Sequence, residues 1–236
     1  MNINLVLSSF YMTYVFLLTT SVITFIEALR TPIPLVRHIM NVETCISVIA
    51  CYFYGVFVEE IKHSQEQQKE KKTVKDNDEP FSDDTYISKI NTLRYSDWVI
   101  TTPFMLLALS MVLGYENKIQ TKIYPYLITI FFNFSMLAFG YIGEIGLLNR
   151  NIASAMGFVF FFLTYGAIWK QFMSGSKVTY QSKVIFWLFL GVWSLYGVFY
   201  HTNELNKMFG YNILDLISKA IVGIVFWLYF TKSVIF

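Results

Sequence analysis

Two ionisable residues, Asp215 and Lys219, lie four positions apart in the last apolar segment of the sequence. In a helix these positions are neighbours on one face. Mostly apolar residues flank Lys219 on both sides, and a surrounding of low dielectric keeps an amine uncharged and able to attack an aldehyde. The protonated imine formed in that reaction needs a counter-anion, which Asp215 would supply. The pair is therefore compatible with a covalent imine site, and equally with a purely structural Lys–Asp pair.

A second group of polar residues opens an earlier apolar segment. Arg94 and Asp97 are three residues apart, and Thr101 follows one helical turn later. Glu43 lies well inside another apolar segment. An ionisable residue at the centre of a membrane-spanning helix costs about 2.5–3.5 kcal/mol, so each of these residues is expected to have a partner or a function.

The composition indicates which elements must position these residues. Of the 236 residues, 55% are hydrophobic and 14% are charged, whereas soluble proteins have roughly 45–50% apolar and about 25% charged residues. The mean hydropathy is +0.49. We therefore predict an all-α integral membrane protein, a seven-transmembrane-helix bundle that forms one domain over 1–236. The predicted spans are about 4–28, 36–58, 95–114, 122–142, 149–173, 183–201 and 210–231.

Several other classes of protein are excluded. A net charge of +2 over this length gives no basic stripe, so a nucleic-acid partner is not expected. The two cysteines, Cys45 and Cys51, lie in one apolar run where a single helix cannot bridge them. The first span has no basic leader or small-residue cleavage site, which predicts a retained helix rather than a signal peptide. No metal site and no appended soluble domain are predicted.

The distribution of basic residues predicts the orientation in the membrane. Lys and Arg concentrate in short loops on the cytoplasmic side of membrane proteins, which places the amino terminus outside and the carboxy terminus inside. The polar segment 59–93 is then a long extracellular loop, and it is acidic overall. The short loops and ends on the predicted inner side contain Arg30, Arg37, Lys118, Lys122, Lys170, Lys177, Lys183 and Lys232, against Arg150 and Lys207 on the other side.

Two separated motifs point to a known family. The run Arg94–Pro103 (RYSDWVITTP) in the third span and Asp215–Lys219 (DLISK) in the seventh resemble the microbial (type 1) rhodopsin family, in which bacteriorhodopsin is the best-known member. The resemblance covers nearly the whole membrane portion. The run Arg37–Cys45, followed by Tyr52–Tyr54, is most similar to the rhodopsins of large algal and protist viruses.

The resemblance implies a role for each motif residue. Lys219 would bind all-trans retinal covalently as a Schiff base. Asp97 would be the counterion and primary proton acceptor, and Asp215 the second counterion. Arg94 would balance the two carboxylates, and Thr101 would hydrogen-bond Asp97. These roles belong to a photoreceptor or transporter and not to an enzyme.

The same resemblance implies the walls of a retinal pocket. Tyr54 matches a tyrosine that hydrogen-bonds the second counterion. The phenylalanines of the fifth span, at 158 and 160–162, are left out of the pocket because their register against the family is not fixed. The residues implied to line the polyene and ring are Trp98, Thr102, Met136, Gly140, Trp193, Tyr196 and Tyr200.

The sequence departs from the family at the inner proton donor. Outward proton pumps often have a carboxylic acid eleven residues after the counterion, where this chain has Ala108. Glu43 lies beside that place by alignment of the second helix and is a candidate inner proton donor or gate. The alternative is that Glu43 is an inner-end carboxylate paired with Arg37 or His38.

Two further departures concern the sixth and seventh spans. Glu204 is a candidate release group, but Lys207 occupies the region where a second release carboxylate would be expected. Gly197 stands where the family often has proline, which should alter the bend of the sixth helix.

Three functions follow as hypotheses. The first is light-driven outward proton transport, the second a light-gated cation channel, and the third a photosensor that signals through a partner. Chloride pumping is disfavoured because Asp97 is a carboxylate. The expected partners are the lipid bilayer and the transported proton or cation. The resemblance also implies a homo-oligomer, located in a host-cell membrane if the protein is viral.

Overall fold

The computed structural model describes residues 3–73, 84–175 and 178–231. Within these ranges all regular structure is helical, and seven helices are long and apolar enough to cross a membrane. Lys177 and Lys232, which are among the basic residues that predict the orientation, lie outside the described residues. The prediction of an all-α seven-helix bundle is confirmed.

The helices follow one another along the chain with short connections. Five are continuous α-helices, whereas α5 ends in a π-helical turn, Trp169–Met173, and α7 contains one, Leu216–Ile221. The helices are α1 Ile3–Arg30, α2 Pro34–Thr73, α3 Asp84–Asn117, α4 Ile123–Glu144, α5 Arg150–Met173, α6 Tyr180–Tyr200 and α7 Glu204–Phe230.

Side chains at the helix ends explain several of these boundaries. Pro34 occupies the first residue of α2, where its missing N–H costs nothing. Asn149, Thr179 and Asn203 precede α5, α6 and α7, and each side chain accepts a hydrogen bond from a backbone N–H of the first turn. The cap at Asn203 starts the seventh helix at Glu204, earlier than the predicted 210.

The structure corrects the prediction of a loop over 59–93. Helix α2 continues to Thr73 and α3 already begins at Asp84, so only 74–83, which lie outside the described residues, separate the two helices. Hydropathy detects the part of a helix that matches the bilayer, whereas residues such as Glu, Gln and Lys favour helix in water as well. The two helices therefore extend beyond the apolar spans.

Buried polar residues divide the core of the bundle. One apolar cluster contains Leu106, Phe172 and Phe226 and fills the side at which the described chain ends, which we call the carboxy-terminal side. A second contains Phe10 and Phe57 and fills the opposite, amino-terminal side. Between them lie four fully buried charged residues, namely Arg94, Asp97, Asp215 and Lys219. The outer surface of the helices is rich in exposed apolar side chains, as expected for contact with lipid.

Candidate functional site

The amine of Lys219 lies between two carboxylates. Its Nζ is 2.5 Å from Oδ2 of Asp97 on α3 and 3.5 Å from Oδ1 of Asp215, one turn away on α7. Arg94 Nη1 is 3.4 Å from the other oxygen of Asp215. Two cations and two anions give no net charge, so the four side chains can be buried together at a lower desolvation cost than singly.

The two carboxylates differ in how many donors they meet. Asp215 accepts hydrogen bonds from Tyr196 Oη at 2.7 Å, Tyr54 Oη at 3.0 Å and Trp98 Nε1 at 3.3 Å, in addition to Arg94. The carboxylate of Asp97 accepts only from Lys219, and its Oδ1 has no partner among the described residues. The negative charge of Asp215 is therefore far better stabilised than that of Asp97.

Thr101 makes a different hydrogen bond from the one expected. Its hydroxyl donates to the backbone carbonyl of Asp97 at 2.8 Å, not to the carboxylate. Such a bond to the residue four positions earlier is common for threonine inside helices. Thr101 therefore contacts Asp97 without stabilising its charge.

Asn212, which sequence reasoning missed, completes the hydrogen bonding of Arg94. Its Oδ1 accepts from Arg94 Nη2 at 2.8 Å. The only signal in the sequence is the position three residues before Asp215, on the same face of α7. That spacing does not reveal the partner, which comes from α3.

A cavity extends from Lys219 into the bundle. All the predicted pocket residues line it: Trp98, Thr102, Met136, Gly140, Trp193, Tyr196 and Tyr200. Phe158 and Phe161 of α5 line it as well, whereas Phe160 and Phe162 do not, and Tyr95, Gly157 and Tyr211 were not predicted. An apolar, aromatic-walled cavity with a lysine at one end fits an elongated polyene that ends in an aldehyde.

Two glycines make room for side chains at the cavity wall. A Cβ added to Gly140 of α4 would lie 2.9 Å from the hydroxyl of Tyr95. A Cβ added to Gly197 of α6 would fall on the ring of Phe158, closer than real Cβ atoms come. Glycine at 197, where the family often has proline, therefore allows α5 and α6 to approach each other beside the cavity.

Glu43 is buried on the carboxy-terminal side of Lys219. Its side chain is 2% exposed, and no hydrogen bond or ion pair reaches its carboxyl group from the described residues. Its Oε2 would lie 3.2 Å from a Cβ added to Gly223, four residues beyond Lys219 on α7. The expected alternative, pairing with Arg37 or His38, is absent from the described residues, since Arg37 donates to the backbone carbonyl of Thr31 instead. Ala108, at the usual donor position, is packed in the apolar core.

Glu204 belongs to a network of charges on the amino-terminal side. Lys207 is fully buried and lies 2.8 Å from Glu204 and 2.5 Å from Glu144. Arg150 lies 3.4 Å from Glu144 and 3.5 Å from Glu204. Asn91 of α3 donates to both carboxylates. Sequence reasoning missed Glu144 and Asn91, because residues of α3, α4 and α7 meet here from distant parts of the chain.

Comparison with known proteins agrees with this geometry. A family model described as bacteriorhodopsin-like protein matches residues 4–233. The green-light absorbing proteorhodopsin of Gamma-proteobacterium EBAC31A08 is 24% identical over 148 residues, which are 57% of this chain and 59% of that protein. The matched region thus spans little more than half the length of this curated relative.

Two solved structures extend the comparison to nearly the whole chain. The crystal structure of the viral rhodopsin OLPVRII has a TM-score of 0.83 and 37% identity, covering 98% of this chain and 100% of that chain. Xanthorhodopsin, described as a light-driven ion pump, has a TM-score of 0.71 at 18% identity, covering 95% of this chain and 91% of that one; this shows the fold alone.

The family match covers almost the entire sequence, and the resemblance to viral rhodopsins is confirmed over the full length of a solved relative. The family implies a retinal chromophore, for which the cavity beside Lys219 has a suitable lining. The chain is therefore an integral multi-pass membrane protein that belongs to the bacteriorhodopsin-like family of microbial rhodopsins.

Proposed function

We propose that the protein is a light-driven outward proton transporter, with all-trans retinal held covalently by Lys219. When bound, this group absorbs visible light and changes the position of the Lys219 nitrogen relative to its neighbours. Trp98, Trp193 and Tyr196 would hold its carbon chain between aromatic rings. The chain's own residues would then move the proton.

The observation that best supports proton transport is the unequal stabilisation of the two carboxylates. Asp97 lies 2.5 Å from the Lys219 nitrogen, and among the described residues that nitrogen is the only donor to its carboxylate. Asp215 meets four donors from α2, α3 and α6. A proton that leaves Lys219 would therefore pass to Asp97, whereas Asp215 would remain ionised and keep the site neutral.

Glu43 would return a proton to Lys219 from the opposite side. A donor must hold its proton at rest, and an apolar surrounding with no charged partner favours the neutral acid. The carboxyl group lies beside Gly223, one turn of α7 beyond Lys219. It is thus on the far side of Lys219 from Arg94, as directional transport requires.

Release would occur on the amino-terminal side, which we propose faces outward on the basis of the basic residues in the other loops. Arg94 separates the central site from Glu204, our candidate release group. Glu204 shares Lys207 and Arg150 with Glu144, so two cations balance two carboxylates. We infer that released protons pass this network and are not stored on a protonated carboxyl pair.

The test is the photocurrent of voltage-clamped cells at a series of holding potentials, together with the pH of the medium. We expect a photocurrent that stays outward at all holding potentials. Light should also acidify the medium, and a protonophore should abolish this acidification. Asp97→Asn should abolish both, because an amide cannot accept the proton. Glu60→Gln, a matched change in a partly exposed carboxylate that pairs with Lys89, should leave both intact, and Lys219→Ala should lack visible absorbance. Unchanged pH in cells that contain wild-type pigment would rule out outward proton transport.

A light-gated cation channel is the second candidate. Three side chains with hydroxyl groups lie near Glu43. The hydroxyl of Ser47 has no hydrogen-bond partner among the described residues, and those of Thr24 and Thr44 are hydrogen-bonded to each other. Such polar groups could line an ion path. The same experiment distinguishes it, since a channel current reverses near the equilibrium potential of its ion. A photosensor would give neither current.

A further inference from the structure

The side chain of Asn212 lies fully buried between α7, α3 and α1. Its Oδ1 accepts a hydrogen bond from Arg94 Nη2 at 2.8 Å. The other side-chain acceptors of this guanidinium are more distant, with Tyr54 Oη at 3.2 Å and Asp215 Oδ2 at 3.4 Å. The shortest side-chain hydrogen bond of Arg94 is therefore made to a neutral amide and not to the counterion.

Helix α1 fixes the direction of this amide. Asn212 Nδ2 donates to Ser9 Oγ at 2.8 Å, and the Ser9 hydroxyl donates its single proton to the carbonyl of Val6 at 2.6 Å. Ser9 Oγ can then only accept at Asn212, so the amide nitrogen must face Ser9. The amide oxygen is thereby directed at Arg94.

The remaining surroundings of Arg94 stabilise its charge without fixing its position along the bundle. The rings of Phe10, Phe57 and Tyr211 lie 5.1–5.6 Å from the guanidinium carbon. Contacts between a cation and ring faces tolerate sliding, whereas hydrogen bonds fix direction and distance. The acceptors that hold the guanidinium next to the central charges are Asn212, Tyr54 and Asp215.

We propose that Asn212 is a positioning residue, which holds Arg94 against the counterions and thereby sets the protonation equilibrium of Asp97. This inference rests on the proposed function, in which Asp97 is the counterion of the Lys219 Schiff base. The charged groups that face Asp97 are Lys219 and Asp215 of α7 and Arg94 of α3. From α2 and α6, tyrosines contact Asp215 and not Asp97, and the α1 residues in contact with Asn212, Ser9 and Thr13, are uncharged.

The physical reason is the distance dependence of the interaction between Arg94 and Asp97. In a medium of low dielectric, the attraction between unit charges changes strongly with a displacement of a few ångströms. Without Asn212 the guanidinium loses its nearest side-chain acceptor and can move along the surrounding rings, away from Asp97. The ionised form of Asp97 then loses stabilisation, and protonation occurs at higher pH.

The experiment is an acid titration of purified pigment, followed by its visible absorption maximum, because protonation of a counterion changes the colour. Asn212→Leu, which keeps the volume but removes the amide, should raise the midpoint of the colour change by about one pH unit. Ser9→Ala, which frees the amide to rotate, should raise it by less. Thr13→Val removes only the hydrogen bond from Thr13 to the Asn212 backbone carbonyl, so it should leave the midpoint in place.

A double variant separates positioning from a general structural effect. If Asn212 acts through Arg94, Asn212→Leu should add no further shift in a protein that already contains Arg94→Gln. An unmoved midpoint in both Asn212→Leu and Ser9→Ala, or a shift that adds fully to that of Arg94→Gln, would overturn the proposal. Failure of wild-type protein to form a coloured pigment would instead contradict the proposed function. If Asn212→Leu does not fold, Ser9→Ala alone and combined with Arg94→Gln gives the same test.

Discussion

At the scale of single residues, Asp97 and Asp215 have the same chemistry but different neighbours. Helices α2, α3 and α6 each direct at least one donor at Asp215, whereas in the part of the chain that the structure describes only the Lys219 amine donates to the carboxylate of Asp97. A charge in a low-dielectric site depends on such donors, because solvent does not supply them. Which of the two aspartates would accept a proton and which would remain ionised is therefore determined by their hydrogen-bond partners, since the residue type is the same.

Glu43 provides a prediction at this scale. Glu43→Gln keeps the shape of the side chain but removes its proton, so reprotonation of Lys219 would have to draw on the solvent. We expect the return of the proton to Lys219 after a laser flash to slow by about tenfold or more. This step should become slower still as the pH is raised, because the solvent then supplies fewer protons.

Glu27→Gln is the matched control, because Glu27 is a partly exposed carboxylate near the same end of the bundle. In this variant Lys219 should regain its proton at the wild-type rate. A Glu43→Gln protein with wild-type decay at every pH would show that Glu43 is not the donor, and the channel hypothesis would then gain support.

The sequence was sufficient for the residues whose position depends on helical spacing. Asp215 and Lys219, or Arg94 and Asp97, are close in the sequence and therefore share a face in any helix. Asn212 could not be predicted, because its partners Ser9 and Arg94 belong to other helices and the direction of its amide depends on how those helices pack. The same holds for Glu144.

At the scale of helices, apolar composition located every span but not every end. Hydropathy identifies the part of a helix that lies in the apolar bilayer core. The ends of the helix depend instead on capping side chains and on the backbone groups they satisfy. The Asn203 cap explains the early start of α7, and the helix-forming residues after Val58 explain the long α2. The packing of α5 against α6 was also not predictable, because it depends on how the ring of Phe158 lies over Gly197.

This contact gives a prediction for α6. In Gly197→Ala the new methyl group would overlap the ring of Phe158, which must turn and so alter the cavity it lines. Such overpacking typically costs about 1–3 kcal/mol, so we expect a shifted absorption maximum and a lower denaturation temperature of the pigment.

Gly191→Ala is the control in the same helix, because no atom lies within 4 Å of the added Cβ. That change should leave the spectrum in place and be neutral or slightly stabilising, since alanine favours helix more than glycine does. Equal spectra and stabilities for the two variants would mean that Phe158 moves aside without consequence for the cavity.

At the scale of the whole molecule, two separate groups of charged side chains in the described part of the chain each contain two cations and two carboxylates. The central one joins α3 and α7 around Lys219, and the other joins α4, α5 and α7 around Lys207. Charges buried as neutral groups are tolerated, but the loss of one member leaves an uncompensated charge. The second group closes the amino-terminal side of the bundle, so it should contribute to stability independently of the pigment chemistry.

Lys207→Met tests this contribution. The change leaves Glu144 and Glu204 close to each other with Arg150 as the remaining cation, and breaking a buried ion pair typically costs about 3–5 kcal/mol. We expect a loss near the lower end of that range, since Glu204 is partly exposed. The measurement is the free energy of unfolding of the pigment in a denaturing-detergent titration.

Two comparisons show whether the cost comes from the unpaired carboxylate rather than from the lost lysine side chain. Adding Glu144→Leu to Lys207→Met should recover most of the loss, because it removes the charge that was left without its partner. Lys89→Met, which breaks the solvent-exposed pair with Glu60, should change stability by no more than about 1 kcal/mol. If Lys207→Met is no more harmful than Lys89→Met, the network at the amino-terminal side does not hold α4, α5 and α7 together, and the apolar core alone must do so.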